Sequence, residues 1–383
     1  MSERPGLLFY CQHSVGMGHL IRSLALVREL STRFDVTFVS GGRLPRGVRL
    51  PEGVRCTKLP PIGMDRSGRL ISHDKRRSVE RALVERTRML IDTFRVLRPR
   101  VIVIELFPFG RRKFAGELEP LLDEARAGGA GKTLVYCSLR DILVSRENPD
   151  HDARAAQILN RCFDGVLVHS DPAFARLEES FTGAIADDVR VLYTGFVHGR
   201  NAGPARPTLR PGTIVVSAGG GLVGEPLLRC ALDAHALLPL FSRPPLTLVA
   251  GPFLPQSAWS ALRAVAGGRS RVYLRRSVPD LGLELAHAAA SVSQCGYNTA
   301  MDLLASRLPA LVVPFGDGAE DEQAKRAGRL EALGLIKVLP AAELNPGRLA
   351  GEMELLLAFT PAVPTIDVDG AAFTARLLRE AAA

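Results

Sequence analysis

Two short stretches of the chain gather groups whose types and spacing could do chemistry. The first runs Ser293-Gln294-Cys295-Gly296-Tyr297-Asn298-Thr299-Ala300-Met301-Asp302. An apolar run over 285–292 leads in and 300–304 continues as a helix, so Gly296, Asn298 and Thr299 fall at the helix start. Backbone N–H groups without intrahelical partners and the positive end of the helix dipole favour an anion there, and a glycine lets a phosphate approach the backbone closely. Asp302 lies one turn further in, where a carboxylate can accept hydrogen bonds from two ribose hydroxyls. The same residues could also make an ordinary capped helix. The second stretch runs Gln12-His13-Ser14-Val15-Gly16-Met17-Gly18-His19, between a short apolar strand at 7–10 and a helix at 20–30. It is a β-loop-α unit with a histidine at the helix mouth, and it lacks the third glycine of a dinucleotide fingerprint. Imidazole suits a general base because its ordinary pKa is near neutrality; a capping histidine is the structural alternative. A third group should then orient that imidazole. Glu105 is the candidate, standing at the C-terminal edge of the β-branched run 101–104, which reads as a buried parallel strand. A solvated strand-end acid is the other meaning.

Strands must hold these stretches. Runs at 7–10, 36–39, 101–104, 133–137, 165–168 and 189–193 read as strands, with helices at 20–30, 78–97 and 117–127 among them. After Gly195 the chain turns polar and rich in glycine and proline. A second series of strands comes after it, at 213–217, 246–250, 272–274, 289–292 and 310–313. Strands separated by helix-length segments imply parallel sheets covered on both faces, with sites at the strand C-terminal ends. The expected fold is therefore α/β, two Rossmann-like parallel-sheet domains facing across a cleft. The expected boundaries are 1–198, a linker at 199–212, 213–360, and a C-terminal helix within 361–383 that packs back on the first domain. Gly219, Gly220 and Gly221 come after the strand at 213–217 and precede a helix near 225–238; they are either a backbone nest for a phosphate or simple turn glycines.

Composition narrows the rest. A length of 383 residues suits two domains of roughly 150 to 200 residues. No apolar run approaches the about 18 residues of a membrane span, and the N-terminus enters the first strand without an evident leader. Six cysteines show no Cys-x-x-Cys pair or Cys/His cluster, which points to reduced thiols in a cytoplasm and to no zinc site. Asp367-Val368-Asp369, an Asp-x-Asp pattern close to the C-terminus, reads as a turn, so no metal and no cofactor are expected. The net charge is +9, and residues 66–113 alone carry 14 Lys/Arg against 5 Asp/Glu. Val79, Leu83, Leu90, Phe94 and Leu97 form the apolar stripe of the helix at 78–97, leaving Arg76, Arg77, Arg81, Arg86, Arg88 and Arg95 largely outside it. Such a field is a solvated face, or it attracts an anionic acceptor or the negative inner membrane leaflet. Phe107, Phe109 and Arg111, within Phe107-Pro108-Phe109-Gly110-Arg111-Arg112-Lys113, interleave aromatics with cations directly after Glu105 and should line an entrance beside it. No nucleic-acid motif accompanies the charge.

Gln294-Cys295-Gly296-Tyr297-Asn298-Thr299 followed by Asp302 resembles the nucleotide-sugar signature of GT-B glycosyltransferases, whose plant members carry His-Cys-Gly-Trp-Asn-Ser and a Glu three residues later. The resemblance implies that Gly296, Tyr297, Asn298 and Thr299 belong to the diphosphate site and Asp302 to the ribose, with Gln294 replacing the family's histidine. Pro309–Pro314 and the pair Glu322-Gln323 resemble the family's buried strand and its acid-Gln contact with donor-sugar hydroxyls. Val278 matches the turn that holds the base. Gly219–Gly221 resembles the glycine loop of the family 28 glycosyltransferases that build peptidoglycan. Gly16-Met17-Gly18-His19 resembles the family's first loop, with His19 as base and Ser14, Gly16, Gly18 and Arg22 beside the acceptor, whose entrance Phe107, Phe109 and Arg111 should line, and Ile104-Glu105-Leu106-Phe107 resembles the strand end whose acid pairs with that histidine. The activity implied by the resemblance is an inverting, metal-independent transfer from a nucleoside-diphosphate sugar, UDP or dTDP, to a hydroxyl or amine of a small-molecule or lipid-linked acceptor. A cytoplasmic site of action with peripheral contact at the inner membrane face accompanies it, with no nucleic-acid partner. Arg22 opens an alternative, because Gly18-His19-Leu20-Ile21-Arg22 also looks like the Gly-His-x-x-Arg loop of nucleotide-sugar hydrolases of the same shape. A non-catalytic sugar-nucleotide-binding protein is the third reading.

Overall fold

The computed structural model describes residues 4–13, 17–45, 48–65, 67–128, 133–144, 150–199, 206–316 and 321–383. The chain forms two compact units, Met1–Gly199 with Ile366–Ala383, and Arg200–Thr365.

The first unit is built on β1 (Gly6–Cys11), β2 (Asp35–Ser40), β3 (Arg55–Lys58), a small antiparallel hairpin of β4 (Ile62–Met64) and β5 (Leu70–Ser72), then β6 (Val101–Glu105), β7 (Leu134–Arg140), β8 (Gly165–His169) and β9 (Arg190–Tyr193). Its main sheet is parallel in the order β3-β2-β1-β6-β7-β8-β9. Continuous apolar strands such as Val101–Ile104 are what a sheet buried on both faces requires. Helices α1 (Gly18–Leu30), α2 (Val79–Leu97), α3 (Ala115–Ala127) and α4 (Asp150–Cys162) connect these strands. Strand order reverses between β1 and β6, which makes their C-terminal ends the switch point where ligands of such sheets bind. Helix α1 begins two residues earlier than the sequence pattern indicates, so Gly18 and His19 sit in its first turn.

Helix α2 starts at Ser78, whose hydroxyl accepts the Arg81 N–H at 3.3 Å, and stops at Arg98 in a left-handed conformation. Leu90 is fully buried, a contribution of roughly 1.5–3 kcal/mol. Arg86 departs from the expected outward face. It is fully buried, and its guanidinium meets Glu117 Oε1 and Oε2 at 2.6 Å each, Tyr10 Oη at 3.1 Å, Gln12 Oε1 at 2.7 Å and the carbonyl oxygens of Gly41 and Pro60. A buried arginine keeps its charge only when so many acceptors replace water.

The second unit carries β10 (Ile214–Ser217), β11 (Leu246–Val249), β12 (Val272–Arg275), β13 (Ala290–Ser293), β14 (Ala310–Val312) and β15 (Lys337–Val338), with α5 (Glu225–Leu237), α6 (Gln256–Ala266), α7 (Leu281–Leu285), α8 (Tyr297–Ser306), α9 (Glu322–Ala332) and α10 (Pro346–Leu356). This sheet is also parallel, in the order β12-β11-β10-β13-β14-β15, and reverses between β10 and β13. Residues 200–205 of the expected linker lie outside the described residues. Thr208 and Leu209 are pinned to this unit, because their backbone N–H groups donate to the Glu284 carboxylate at 2.9–3.0 Å. After Ile366 the chain rejoins the first unit, where α11 (Gly370–Ala381) packs on α1 and adds Ala375 and Leu378 to the cluster holding Leu20, Leu26 and Phe38.

Candidate active site

The switch point of the first unit brings together an imidazole, a carboxylate and two guanidinium groups. Strand β6 carries Glu105 to its end beside β1, and the first turn of α1 places His19 above it. His19 Nδ1 lies 2.6 Å from Glu105 Oε1. Arg22, three residues on and so on the same side of α1, donates to the same oxygen at 2.6 Å. Arg111 Nη2 stands 3.7 Å from Glu105 Oε2. The carboxylate is fully buried. Burial alone would raise its pKa, but His19, Arg22 and Arg111 hold it down at about 2. His19 is one-fifth exposed. Desolvation pulls its pKa down to about 4, with Arg111 and Arg22 acting in the same direction and Glu105 opposing them. The N-terminal end of α1 adds to the disfavour toward imidazolium. Across the neutral range the ring is therefore uncharged, Nδ1–H donates to Glu105, and the Nε2 lone pair is left to take a proton. Immediately after Glu105, Leu106 adopts a left-handed φ of +67°, a conformation costing roughly 1–2 kcal/mol outside glycine. Strain of this kind clusters at functional sites.

Several residues expected at the acceptor stand elsewhere. Arg22 is 2 % exposed and spent on Glu105, so it positions the carboxylate and does not face an acceptor. Phe107 and Phe109 are fully buried, their rings 6.4 Å from Phe163 and 4.7 Å from Phe181; the core claims them because an aromatic ring gains more by burial than by lining a wet entrance. Arg111 is mostly buried beside Glu105, whereas Arg112 and Lys113 are exposed, and Lys113 Nζ donates to the Gly68 carbonyl in the turn between β4 and β5. Ser14 and Gly16 lie outside the described residues. The buried set Arg86–Glu117–Tyr10–Gln12 was not expected. It knots the ends of β1, β2 and β4, since Gln12 Nε2 also donates to the Ile62 carbonyl at 2.9 Å, and so fixes the start of the loop that leads to His19.

The switch point of the second unit forms a seat of backbone groups. Ser217 and Ser293 are register partners at the ends of β10 and β13; both side chains are buried, and neither hydroxyl has a hydrogen-bond partner among the described residues. Gly219 comes next at φ +55°, within 4.0 Å of Thr299 Oγ1 as judged from where its Cβ would stand. Gly220 remains partly open. Gly221, at φ +86°, is a packing glycine, since a Cβ there would meet the Ala250 carbonyl at 2.3 Å, so it does not face a ligand. Helix α8 starts at Tyr297 with Gly296 as its N-cap and no side-chain cap, so the positive end of its dipole lies at this turn. Gln294, Gly296, Asn298 and Asp302 are partly exposed. The Tyr297 ring is not: it is buried, with the Arg326 guanidinium 5.9 Å from its centroid, so only its backbone can serve a donor. Asp302 borders α7 at Gly282, next to the segment holding Val278. Gln323 Oε1 is taken up by the N–H groups of Cys295 at 3.0 Å and Phe315 at 3.2 Å, and Glu322 begins α9 beside it. Asp367 and Asp369 form a turn, with the Asp369 N–H on Asp367 Oδ1 at 2.8 Å. Among the described residues no cluster of His, Cys, Asp or Glu could hold a metal, and no helix is long and apolar enough to cross a membrane.

Comparison with known proteins respects the same division. Residues 277–363 match the glycosyltransferase family 28 C-terminal domain. The UDP-N-acetylglucosamine–N-acetylmuramyl-(pentapeptide) pyrophosphoryl-undecaprenol N-acetylglucosamine transferase of Nitrosococcus oceani is 31% identical over 191 residues, covering 48% of this chain and 52% of that enzyme. The chain thus spans about half the length of the curated relatives it matches. Among solved structures, MurG of Acinetobacter baumannii superposes with a TM-score of 0.58 at 16% identity, covering 98% of this chain and 100% of that one. A Listeria monocytogenes protein provisionally described as a UDP-N-acetylglucosamine 2-epimerase gives 0.62 at 13% identity, covering 98% and 95%. At such identities the superpositions speak for the fold alone, a pair of parallel-sheet units. The chain thus has the paired parallel-sheet fold of the superposed structures, and its residues 277–363 match the glycosyltransferase family 28 C-terminal domain.

Proposed function

We propose that this protein moves a sugar, with inversion and without a metal, from a nucleoside-diphosphate sugar to an acceptor hydroxyl or amine. The observation that carries the proposal is the 2.6 Å contact between His19 Nδ1 and the buried Glu105 carboxylate. Nε2 of His19 removes the acceptor proton, Glu105 stabilises the imidazolium as it forms, and the acceptor attacks the anomeric carbon from the face opposite the diphosphate. Charge growing on the departing diphosphate falls to the N–H groups at Gly296 to Thr299 and to the α8 dipole. Asp302 takes the ribose, and Glu322 with the Gln323 amide takes the sugar hydroxyls. UDP is the preferred nucleotide, since the Nitrosococcus oceani relative is named for a UDP-sugar, with dTDP next. The acceptor is anionic and either small or lipid-linked. That choice rests on the outward face of α2 and its approach, where Arg76, Arg77, Arg81 and Arg88 are exposed together with Val84; it also suits work at the inner membrane face.

Arg22 favours a second reading, in which water replaces the acceptor, because the Gly-His-x-x-Arg arrangement is assembled on Glu105. Incubation with UDP-, dTDP- and GDP-sugars, with and without candidate acceptors, separates the possibilities. Acceptor-dependent release of nucleotide means transfer, free sugar without acceptor means hydrolysis, and binding without turnover means neither.

Two further outcomes are expected. The low pKa of His19 places the acid limb of kcat/KM near pH 4: protonation abolishes the base only as pH falls through that value, so the rate changes less than about twofold between pH 7.5 and 5.5. A base with the ordinary value of about 6.5 would lose roughly tenfold over the same interval, and that profile would contradict the assignment. Asn298→Ala and Asp302→Ala should each weaken bare diphosphate binding by roughly 1–3 kcal/mol, the scale of a lost hydrogen-bond partner to a charged ligand. Unchanged affinity in both, by isothermal titration, would reduce the segment to a capped helix.

A further inference from the structure

No sequence pattern marks Arg326, yet it is fully buried under the turn between β13 and α8. It and Gln323, three residues apart on one face of α9, grip the residue before that turn from both sides. Gln323 Oε1 accepts the Cys295 N–H at 3.0 Å, and Arg326 Nη1 donates to the Cys295 carbonyl at 2.8 Å. The peptide unit joining Cys295 to Gly296 is planar and trans, so its N–H points opposite to its C=O. With the Cys295 carbonyl turned onto Arg326, the Gly296 N–H is aimed away from the guanidinium. A charge-assisted bond to that carbonyl also polarises the peptide and strengthens the N–H as a donor. The same guanidinium lies over the Tyr297 ring and holds the first residue of α8. Gln323 further ties the β14 end to this turn through the Phe315 N–H. The buried cation therefore comes from α9, in a chain where Gln294 stands in place of a histidine.

We propose that Arg326, seconded by Gln323, is a positioning residue that orients the Cys295–Gly296 peptide for a diphosphate. The proposal rests on the reading of this turn as a nucleoside-diphosphate seat. It acts through backbone geometry, so it should affect phosphate binding and leave nucleoside binding largely alone. The test titrates UDP, dTDP and GDP, and their nucleosides by NMR, into the wild-type protein, Arg326→Met, Arg326→Lys and Gln323→Ala, with thermal melts alongside. These diphosphates lack the transferred sugar, so a donor-sugar contact by Gln323 cannot contribute to the result. Diphosphate affinity should fall about tenfold or more in Arg326→Met and Gln323→Ala, with a smaller loss in Arg326→Lys, while nucleoside affinity stays within about threefold. If Arg326→Met does not fold, Gln323→Ala decides. Diphosphate affinity within about twofold of wild type in the folded variants overturns the proposal, as does an equal loss for nucleoside and diphosphate. A wild-type protein that binds none of the three diphosphates overturns it together with the functional reading.

Discussion

Replacing His19 by alanine should lower acceptor-dependent turnover by roughly 100-fold or more while nucleoside-diphosphate affinity stays within about threefold, the scale on which a general base is lost. The split comes from placement. His19 belongs to the first unit and makes its close contacts with Glu105 and Arg22, whereas every residue assigned to the diphosphate belongs to the second. The ring is also only a moderate part of the local packing, being one-fifth exposed, so the substitution should cost little stability. Single-turnover rates with saturating donor, set beside isothermal titration of the diphosphate, measure the two quantities separately. Turnover near the wild-type rate would remove His19 from the base role and leave the imidazole as a prop for Glu105.

The His19–Glu105 pair was legible in the sequence because its signals are local. A β-branched run ending in a carboxylate, and a glycine-rich loop ending in a histidine, each declare a strand end before any contact is known. That side chains 86 residues apart become neighbours is a consequence of parallel topology, which the alternation of elements also carries. What escaped was decided by tertiary partners. Arg86 stands at helical spacing between Leu83 and Leu90, but its charge set it outside the stripe in the sequence; the acceptors that draw it inward come from Glu117, Tyr10, Gln12, Gly41 and Pro60. Arg326 is the same case in the second unit. Phe107 and Phe109 failed in reverse: aromatics interleaved with cations suggested an entrance, but the left-handed turn at Leu106 folds them into the core and leaves Arg112 and Lys113 outside. Short strands such as β3 and β15 carry too few residues for a period to register.

Glu105→Gln should give the largest combined effect, on stability as well as on turnover. The carboxylate serves two donors and a further cation: Oε1 takes His19 and Arg22 at 2.6 Å each, and Oε2 faces the Arg111 guanidinium at 3.7 Å, an ion-pair contact without a hydrogen bond. A glutamine of the same shape brings one oxygen and one NH2 group, so a donor must be turned toward a donor whichever way the amide lies. Arg22, 2 % exposed, then loses the charge that compensates it. Breaking a buried pair from one side costs about 3–5 kcal/mol, which for a unit of this size lowers the melting midpoint by roughly 6–20 °C. Turnover should fall as far as in His19→Ala, since neither the tautomer nor the developing imidazolium is then supported. Groups that act as one unit are not additive, so the double variant His19→Ala with Glu105→Gln should be no slower than the slower single one. Thermal melts and turnover of the four proteins complete the cycle. Rate losses that multiply in the double variant would mean that the two residues act independently, and a melting midpoint unchanged in Glu105→Gln would mean that Arg22 does not depend on this carboxylate.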